Sequence, residues 1–345
     1  RLRAKKVGRH ALQVEARGAK VADAIKRQIE VVPDGRRVEQ VQNGTLQRPA
    51  TVTYTVPKGA IEGSVKAIVK IYPSSFSQLV EGLDGIFQRP YGCFEQTSSA
   101  TYPNVLALDY LRRTGKTVPA VEAKARQYIH LGYQRLLGFE VAGGGFDWFG
   151  RAPAKLTLTA YGLMEFEDMA RVHDVDPRLI QRTRAWLLAR QDAGGSWSPA
   201  HGMLHGAPLR GSRNGARLST TAYVAWAVFN DQPRSRQSQA ALDWLLSHRP
   251  DSIDDPYTLA LMANAIAALS NNPSAERPYI EHLEAMKRTS PDGKLAWWEQ
   301  APGGRTTFYG AGTSGSVETT ALAAMAMIRA GHSPATARAA LAWVA

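Results

Sequence analysis

The sequence is poor in cysteine and in long hydrophobic runs. Its 345 residues contain one cysteine, so no disulfide can form within the chain. No segment approaches the roughly 18 to 20 uncharged apolar residues of a membrane helix, and the N-terminus lacks a secretory-signal pattern. Because 44% of the residues are hydrophobic, we expect a globular protein with a sizeable core. Residue 1 is arginine rather than methionine, which we interpret as a fragment of a longer protein.

A concentrated basic stripe is also lacking, although the net charge is +12. The 42 lysines and arginines are scattered along the chain, and the local run at residues 1–6 is short. Nucleic-acid binding requires basic residues gathered on one face. We therefore interpret these charges as a solvated surface and expect no nucleic-acid partner.

Residues 1–73 carry the alternating apolar pattern of β-strands. Turn signals separate the alternating segments, as at 33–35 (PDG) and 57–59 (PKG), and residues 72–75 (YPSS) indicate a helix start. The sequence thus predicts a small antiparallel β-module over residues 1–73. The alternating residues are Ile25, Ile29 and Val31, then Val52, Tyr54 and Val56, then Val65, Ala67, Val69 and Ile71.

Residues 74–345 show helical spacing and an internal repeat. Three predicted helices begin with related phrases at 158–161 (LTAY), 220–223 (TTAY) and 319–322 (TTAL), with a looser copy at 257–260 (YTLA). Two of them follow an amphipathic helix and a loop containing glycine and an aromatic residue, at 191–197 and 290–297. Such self-similarity is typical of repeat architectures.

The predicted helices are of two kinds. Segments 320–328 and 259–269 are apolar nearly all round, whereas 177–190 and 237–248 have one polar face. Helices of the first kind must be surrounded by protein. The pattern predicts a mainly α fold, an α/α-toroid of inner and outer helices preceded by the β-module, with a plain helical solenoid as the alternative.

The lone cysteine, Cys93, lies in the segment 90–97 (PYGCFEQT), between one predicted helix and the next. A cysteine in a glycine-containing turn at a helix N-terminus is placed where the helix dipole stabilises negative charge on sulfur. A small buried hydrophobic residue is the competing interpretation.

The phrase Gly92-Cys93-Phe94-Glu95-Gln96 resembles the Gly-Cys-x-Glu-Gln thioester signature of the alpha-2-macroglobulin and complement family, and the whole segment 90–97 resembles its bacterial-type members. The resemblance implies an internal thioester between Cys93 and Gln96, with Gly92 and Glu95 completing the motif. It also implies a thioester domain with the toroid architecture over residues 74–345, and for residues 1–73 the first part of a CUB domain.

The thioester needs its two partners three residues apart, within contact on one helical turn. Sulfur replaces the side-chain nitrogen of Gln96, and attack by an amine or hydroxyl later transfers the acyl group to the target and frees Cys93. The reaction occurs once per molecule, so we expect neither an enzyme nor an external cofactor. Tyr91 and Phe94 are candidates for an apolar shield against water, or are ordinary core aromatics.

A histidine can change the accepted nucleophile, because imidazole can take the acyl group first and pass it to a hydroxyl. In complement members of the family, such a histidine follows a glycine-aromatic phrase. The matching segment here is 195–205 (GSWSPAHGMLH), and spacing from the glycine favours His205, with His201 second. An ordinary exposed loop histidine is the alternative.

Several other motifs have mainly structural interpretations. Asp254 and Asp255 are interpreted as a helix cap and turn, and residues 143–145 (GGG) lack the context of a phosphate loop. Glu318 precedes an inner-helix repeat, where family members place residues that face the thioester. We expect no metal, because five further histidines show no ligand spacing with Cys93 or one another: His130, His173, His248, His282 and His332.

The resemblance implies a protease trap, an endopeptidase inhibitor whose partners are attacking proteases and other domains of the same chain. Complement-like surface tagging is one alternative. An enzyme of the prenyltransferase or terpene cyclase kind, which shares the toroid, is another, since residues 194–197 (GGSW) resemble its repeat phrases. One cysteine without disulfides favours a bacterial periplasm or cell envelope over animal plasma, with secretion as the other possibility.

Overall fold

The computed structural model describes residues 5–42, 49, 51–72, 87–115, 119–199, 213–270, 272, 274–300 and 303–344. The chain divides into two compact units, residues 1–77 and 78–345. The change from alternating to helical spacing in the sequence led us to expect the division between residues 73 and 74.

The described residues of the first unit contain one antiparallel hairpin. Strand β1, Gly8–Arg17, pairs with β2, Ala22–Val31, in the register that joins Gly8 to Val31 and Arg17 to Ala22. The described residues of segment 51–72 contain no strand, so the expectation of strands there was wrong. Their alternating residues remain exposed, Val52 at 46% and Val69 at 83%. Alternation stabilises a strand only where a neighbouring strand and a core cover one face.

Ten α-helices are found in the described part of the second unit. The first four span Phe94–Arg113 (α1), Pro119–Leu137 (α2), Leu156–Met169 (α3) and Pro177–Leu188 (α4). The next three span Arg213–Phe229 (α5), Arg236–Leu246 (α6) and Pro256–Leu269 (α7). The last three span Arg277–Met286 (α8), Thr313–Ala330 (α9) and Pro334–Val344 (α10). A 3-10 helix spans Pro250–Ser252.

Two short hairpins interrupt the helices. Strands β3, Glu140–Val141, and β4, Gly145–Phe146, form the first, and residues 143–145 lie in and after its turn rather than at a helix start. Strands β5, Arg288–Thr289, and β6, Ala296–Trp297, form the second.

The odd-numbered helices form the inner layer and the even-numbered helices the outer layer. Each inner helix packs on the next inner helix and on the outer helix that follows it in sequence. Nearly every residue of α7 is buried, whereas α4 buries only Leu179, Thr183, Trp186 and Leu187, which share one face. The predicted α/α-toroid is confirmed.

A buried threonine on an inner helix accepts a hydrogen bond from the loop that precedes it, and this bond explains the repeated phrases. Thr159 Oγ1 accepts the Phe146 N–H at 2.9 Å, and Thr221 Oγ1 accepts the Trp197 N–H at 3.0 Å. Thr320 Oγ1 accepts the Trp298 N–H at 3.1 Å. The phrases therefore mark loop contacts, and the prediction that they begin helices was wrong for α5 and α9.

Two tryptophans in these loops also bond in the same way to the preceding outer helices. Trp197 Nε1 donates to the Leu187 carbonyl at 2.9 Å, and Trp298 Nε1 donates to the Leu283 carbonyl at 2.7 Å. Both indoles are fully buried. Trp298, rather than Trp297, is thus the counterpart of Trp197, one residue beyond the loop phrase recognised in the sequence.

Asp255 is the N-cap of α7. Its carboxylate accepts the Thr258 N–H at 3.1 Å and the Thr258 hydroxyl at 2.6 Å, and proline occupies the first helical turn. The helix-cap interpretation of this acidic pair is confirmed for Asp255.

Candidate functional site

Cys93 is the N-cap residue of α1, and Gln96 is the third residue of the helix. The cysteine backbone is extended, with φ −76° and ψ −176°, and its sulfur faces the Gln96 backbone N–H. The Gln96 side chain folds back, so that Oε1 accepts the Cys93 N–H at 3.2 Å. This reciprocal arrangement is a capping box with cysteine in place of serine or threonine. It brings the two residues predicted to form the thioester together on one turn.

Gly92 makes this arrangement possible. Its φ of +76° lies in the left-handed region, which side chains disfavour. A Cβ at this position would lie 2.8 Å from Gln96 Cδ and closer still to Oε1. Glycine is therefore required for the backbone conformation and for the space that the glutamine carboxamide occupies.

Three further hydrogen bonds fix the turn, two of which join it to distant residues. The Phe94 N–H donates to the Trp148 carbonyl at 3.0 Å, which satisfies one of the free amide groups of the first helical turn. Arg135, in the last turn of α2, donates from Nη2 to the Gly92 carbonyl at 2.7 Å. The Thr97 hydroxyl donates to the Tyr91 carbonyl at 3.1 Å.

The Phe94 side chain fixes the turn to the hydrophobic core. Its side chain is fully buried and packs against Phe139 and Phe146, with ring centroids 6.2 and 5.2 Å away. A Cβ on Gly162 of α3 would come within 2.9 Å of Phe94 Cζ. Phe94 therefore lies in the core beneath the turn, which is the second of the two roles expected for it.

A cleft of about 510 Å³ opens beside the pair. Tyr91 lines this cleft with 58% of its surface exposed, and Phe149 with 67%. Trp148 and Phe149 were not identified from the sequence, although only Asp147 separates them from the glycine-aromatic pair 145–146. Asp147 holds their turn, because its carboxylate accepts the Phe149 N–H at 3.0 Å. The cleft is lined by Gln88, Tyr91, Cys93, Glu95, Gln96, Ser99, Ala100, Trp148 and Phe149.

A buried acid, Glu165, and a partly buried phenol, Tyr161, lie on α3, which packs against the motif helix α1. Burial raises the pKa of the Glu165 carboxyl on α3 to about 8, and the polar Ser98 side chain of α1 opposes this effect. Burial is the main cause that raises the pKa of the Tyr161 phenol, and the Glu95 carboxylate adds to it. Burial therefore favours the neutral form of the Glu165 carboxyl near pH 7.

Glu318 lies on α9 and is not among the residues that line the cleft. Burial raises the pKa of its carboxyl, while hydrogen bonds with Thr306 and Tyr257 oppose the shift. These contacts give Glu318 a structural role between α9, α7 and the loop before α9.

His201 and His205 lie outside the described residues, so the predicted acyl relay has no geometry here. In the described ranges, no group of three or more His, Cys, Asp or Glu side chains could hold a metal ion. No helix of the described part of the chain is long and apolar enough to cross a membrane.

The fold and the motif define a class of protein: an α/α-toroid that presents a cysteine and a glutamine together at the N-terminus of an inner helix. The family model of the A-macroglobulin TED domain matches residues 65–345, and the chain belongs to this family. The reactive group of such a domain is an internal cross-link between two of its own side chains rather than a bound cofactor.

Several curated relatives of the chain are named for a thioester. The chain is 24% identical over 341 residues to Thioester-containing protein 1 allele S1 of Anopheles gambiae, and equally to alleles S3 and R1. These matches cover 95% of this chain but 24% of each relative. The chain thus spans about a quarter of the length of the curated relatives it matches.

Proposed function

We propose that Cys93 and Gln96 form an internal thioester that captures a target covalently. The observation that carries the proposal is the fold-back of the Gln96 carboxamide onto the Cys93 N–H. On closure, the Cys93 sulfur bonds to Gln96 Cδ, and the side-chain nitrogen leaves as ammonia with the thiol proton. On capture, an amine attacks Cδ, the carbon–sulfur bond breaks, and the proton lost by the amine passes to the thiolate.

This chemistry is a single acyl transfer. The helix N-terminus favours negative charge on the leaving sulfur, and thiolate leaves more readily than an amide nitrogen. Once the acyl group of Gln96 has become an amide of the target, nothing restores the thioester. The domain therefore acts once per molecule instead of turning over like an enzyme.

The physiological role that we propose is that of an endopeptidase inhibitor. After activation of the longer protein, a lysine of the attacking protease is the nucleophile. The segment 90–97 resembles bacterial-type family members, which supports a place in the periplasm or cell envelope and a role in innate defence. Residues 1–73 would then be the first part of a CUB domain.

A toroid enzyme is the weaker alternative. Residues 194–197 carried the sequence resemblance to such enzymes, and the structure gives these residues structural roles. A Cβ on Gly195 would collide with the Ala240 carbonyl, and Trp197 is a buried core residue. Asp255, which belongs to the one Asp-Asp pair in the sequence, is the N-cap of α7 and is therefore already bonded.

The proposal predicts a protected thiol. Freshly folded protein should resist alkylation of Cys93 and should weigh one ammonia less than its sequence. Methylamine should then add its own mass to the chain by forming an amide with Gln96, and it should expose Cys93 to the alkylating reagent. Intact-mass spectrometry with iodoacetamide, before and after methylamine, measures both changes. Immediate labelling at the mass of the unmodified sequence would mean that this chain holds no thioester.

His205 is proposed to decide between amines and hydroxyls. An amine attacks the exposed carbonyl unaided, whereas a hydroxyl profits from an acyl-imidazole and a general base, by on the order of a hundredfold. His205→Ala should thus leave the methylamine rate unchanged and slow transfer to glycerol. His201→Ala is the control from the same segment. Equal glycerol rates in His205→Ala and the unaltered protein would make amine-only capture of protease lysines the better account.

A further inference from the structure

The peptide group between Gly92 and Cys93 is hydrogen-bonded at both ends. Its carbonyl oxygen accepts Arg135 Nη2 at 2.7 Å. Its N–H donates to Gln96 Oε1 at 3.2 Å. A guanidinium cation and the side-chain carbonyl of the motif glutamine are thus joined through one planar amide.

Gln96 Oε1 is the oxygen on which charge develops. Closure of the thioester and attack by an amine both add a nucleophile to Gln96 Cδ, which drives the carbonyl electron pair onto Oε1. This oxygen remains on Cδ in the amide, the thioester and the product. Donors already aimed at such an oxygen stabilise the transition state without reorganisation.

An amide becomes a stronger donor when its own carbonyl is bonded to a cation. Hydrogen bonds in series polarise one another, and bonds to a charged donor are shorter and stronger than neutral ones. The 2.7 Å bond from Arg135 is of this kind. It withdraws electrons from the peptide group and makes the Cys93 N–H more positive.

We propose that Arg135 is a positioning residue for acyl transfer, which strengthens the Cys93 N–H as an oxyanion donor to Gln96 Oε1. The catalytic donor is the Cys93 amide, and Arg135 acts only through the Gly92–Cys93 peptide. This inference rests on the proposed thioester for its effect on rate, but the hydrogen-bond relay itself exists in the open form of the turn.

The first measurement does not need a closed thioester. In protein whose motif has been opened with methylamine or never closed, the backbone amide proton of Cys93 should resonate downfield, because it is bonded to Oε1. Arg135→Met should move it upfield. Arg126→Met is the matched control, since Arg126 lies on the same helix and pairs with Glu122 instead. An unchanged Cys93 resonance in Arg135→Met would overturn the relay.

The second measurement is the rate at which methylamine releases the Cys93 thiol. Arg135→Met should react about tenfold more slowly than the unaltered protein, and Arg126→Met at the unaltered rate. Arg135→Lys keeps a cation that can bind the carbonyl and should recover most of the rate. A purely structural role would slow the reaction only as far as the turn unfolds, whereas the relay predicts slower reaction at a temperature where both proteins are fully folded.

The two measurements separate the two proposals. If the unaltered protein shows no loss of ammonia but its Cys93 resonance responds to Arg135→Met, the thioester proposal fails for this chain and the relay stands. If the thioester closes and Arg135→Met reacts as fast as the unaltered protein, the relay is overturned and the thioester stands.

Discussion

Replacing Cys93 with alanine should abolish covalent coupling while the toroid remains folded. Without sulfur there is no acyl donor, since the Gln96 amide does not react with amines under mild conditions. The fold should survive because the lost side chain is a half-buried N-cap, whose removal costs roughly 0.5–2 kcal/mol, a fraction of the stability of a typical domain. Incubation with a labelled primary amine and mass mapping of Gln96 measures the coupling, and circular dichroism measures the helix content.

Cys93→Ser separates the reactive role of sulfur from its capping role. Serine is a preferred N-cap residue and keeps an acceptor opposite the Gln96 N–H, so this variant should be at least as stable as the alanine variant. It should nevertheless fail to couple, because an alkoxide is a much poorer leaving group than a thiolate. Amine found on Gln96 in either variant would refute the thioester mechanism.

The architecture could be predicted from the sequence because its causes are local. Some helical segments are apolar on all sides, whereas others have one polar face, and the difference can be read within a few turns of sequence. This difference predicts an inner and an outer layer of helices. The motif turn is equally local, since Cys93 and Gln96 lie within one helical turn. The threonine phrases were recognised as repeats, but their cause, a hydrogen bond to an aromatic residue in the preceding loop, joins residues 13 to 24 positions apart.

The features that the sequence did not reveal depend on distant contacts. Arg135 lies 43 positions from Gly92, and nothing in its own neighbourhood indicates that its guanidinium reaches the motif. Trp148 acts through its backbone carbonyl, which any residue could supply. For segment 51–72, alternation predicted strands, but the described residues of that segment contain none.

Gly92→Ala should prevent the thioester from closing. The new methyl group would lie 2.8 Å from Gln96 Cδ and nearer to Oε1, so the carboxamide has to swing away from the Cys93 N–H. Positive φ adds a backbone cost of roughly 1–2 kcal/mol. Swung away, the glutamine carbon no longer lies at the helix N-terminus beside the sulfur. We expect the intact mass of the unmodified sequence and immediate alkylation of Cys93.

Gly115→Ala is the control that isolates the collision. Gly115 has a similar φ of +67° just after the end of α1, but a Cβ there meets no atom of the described residues within 4 Å. Both variants therefore bear the backbone cost, and both should lose a comparable amount of the free energy of unfolding in urea. Only Gly92→Ala adds a group to the space of the Gln96 side chain. Gly115→Ala should still weigh one ammonia less than its sequence and should still protect its thiol. If the same fraction of Gly92→Ala molecules as of unaltered molecules held a closed thioester, the glutamine would have to reach the sulfur by another path.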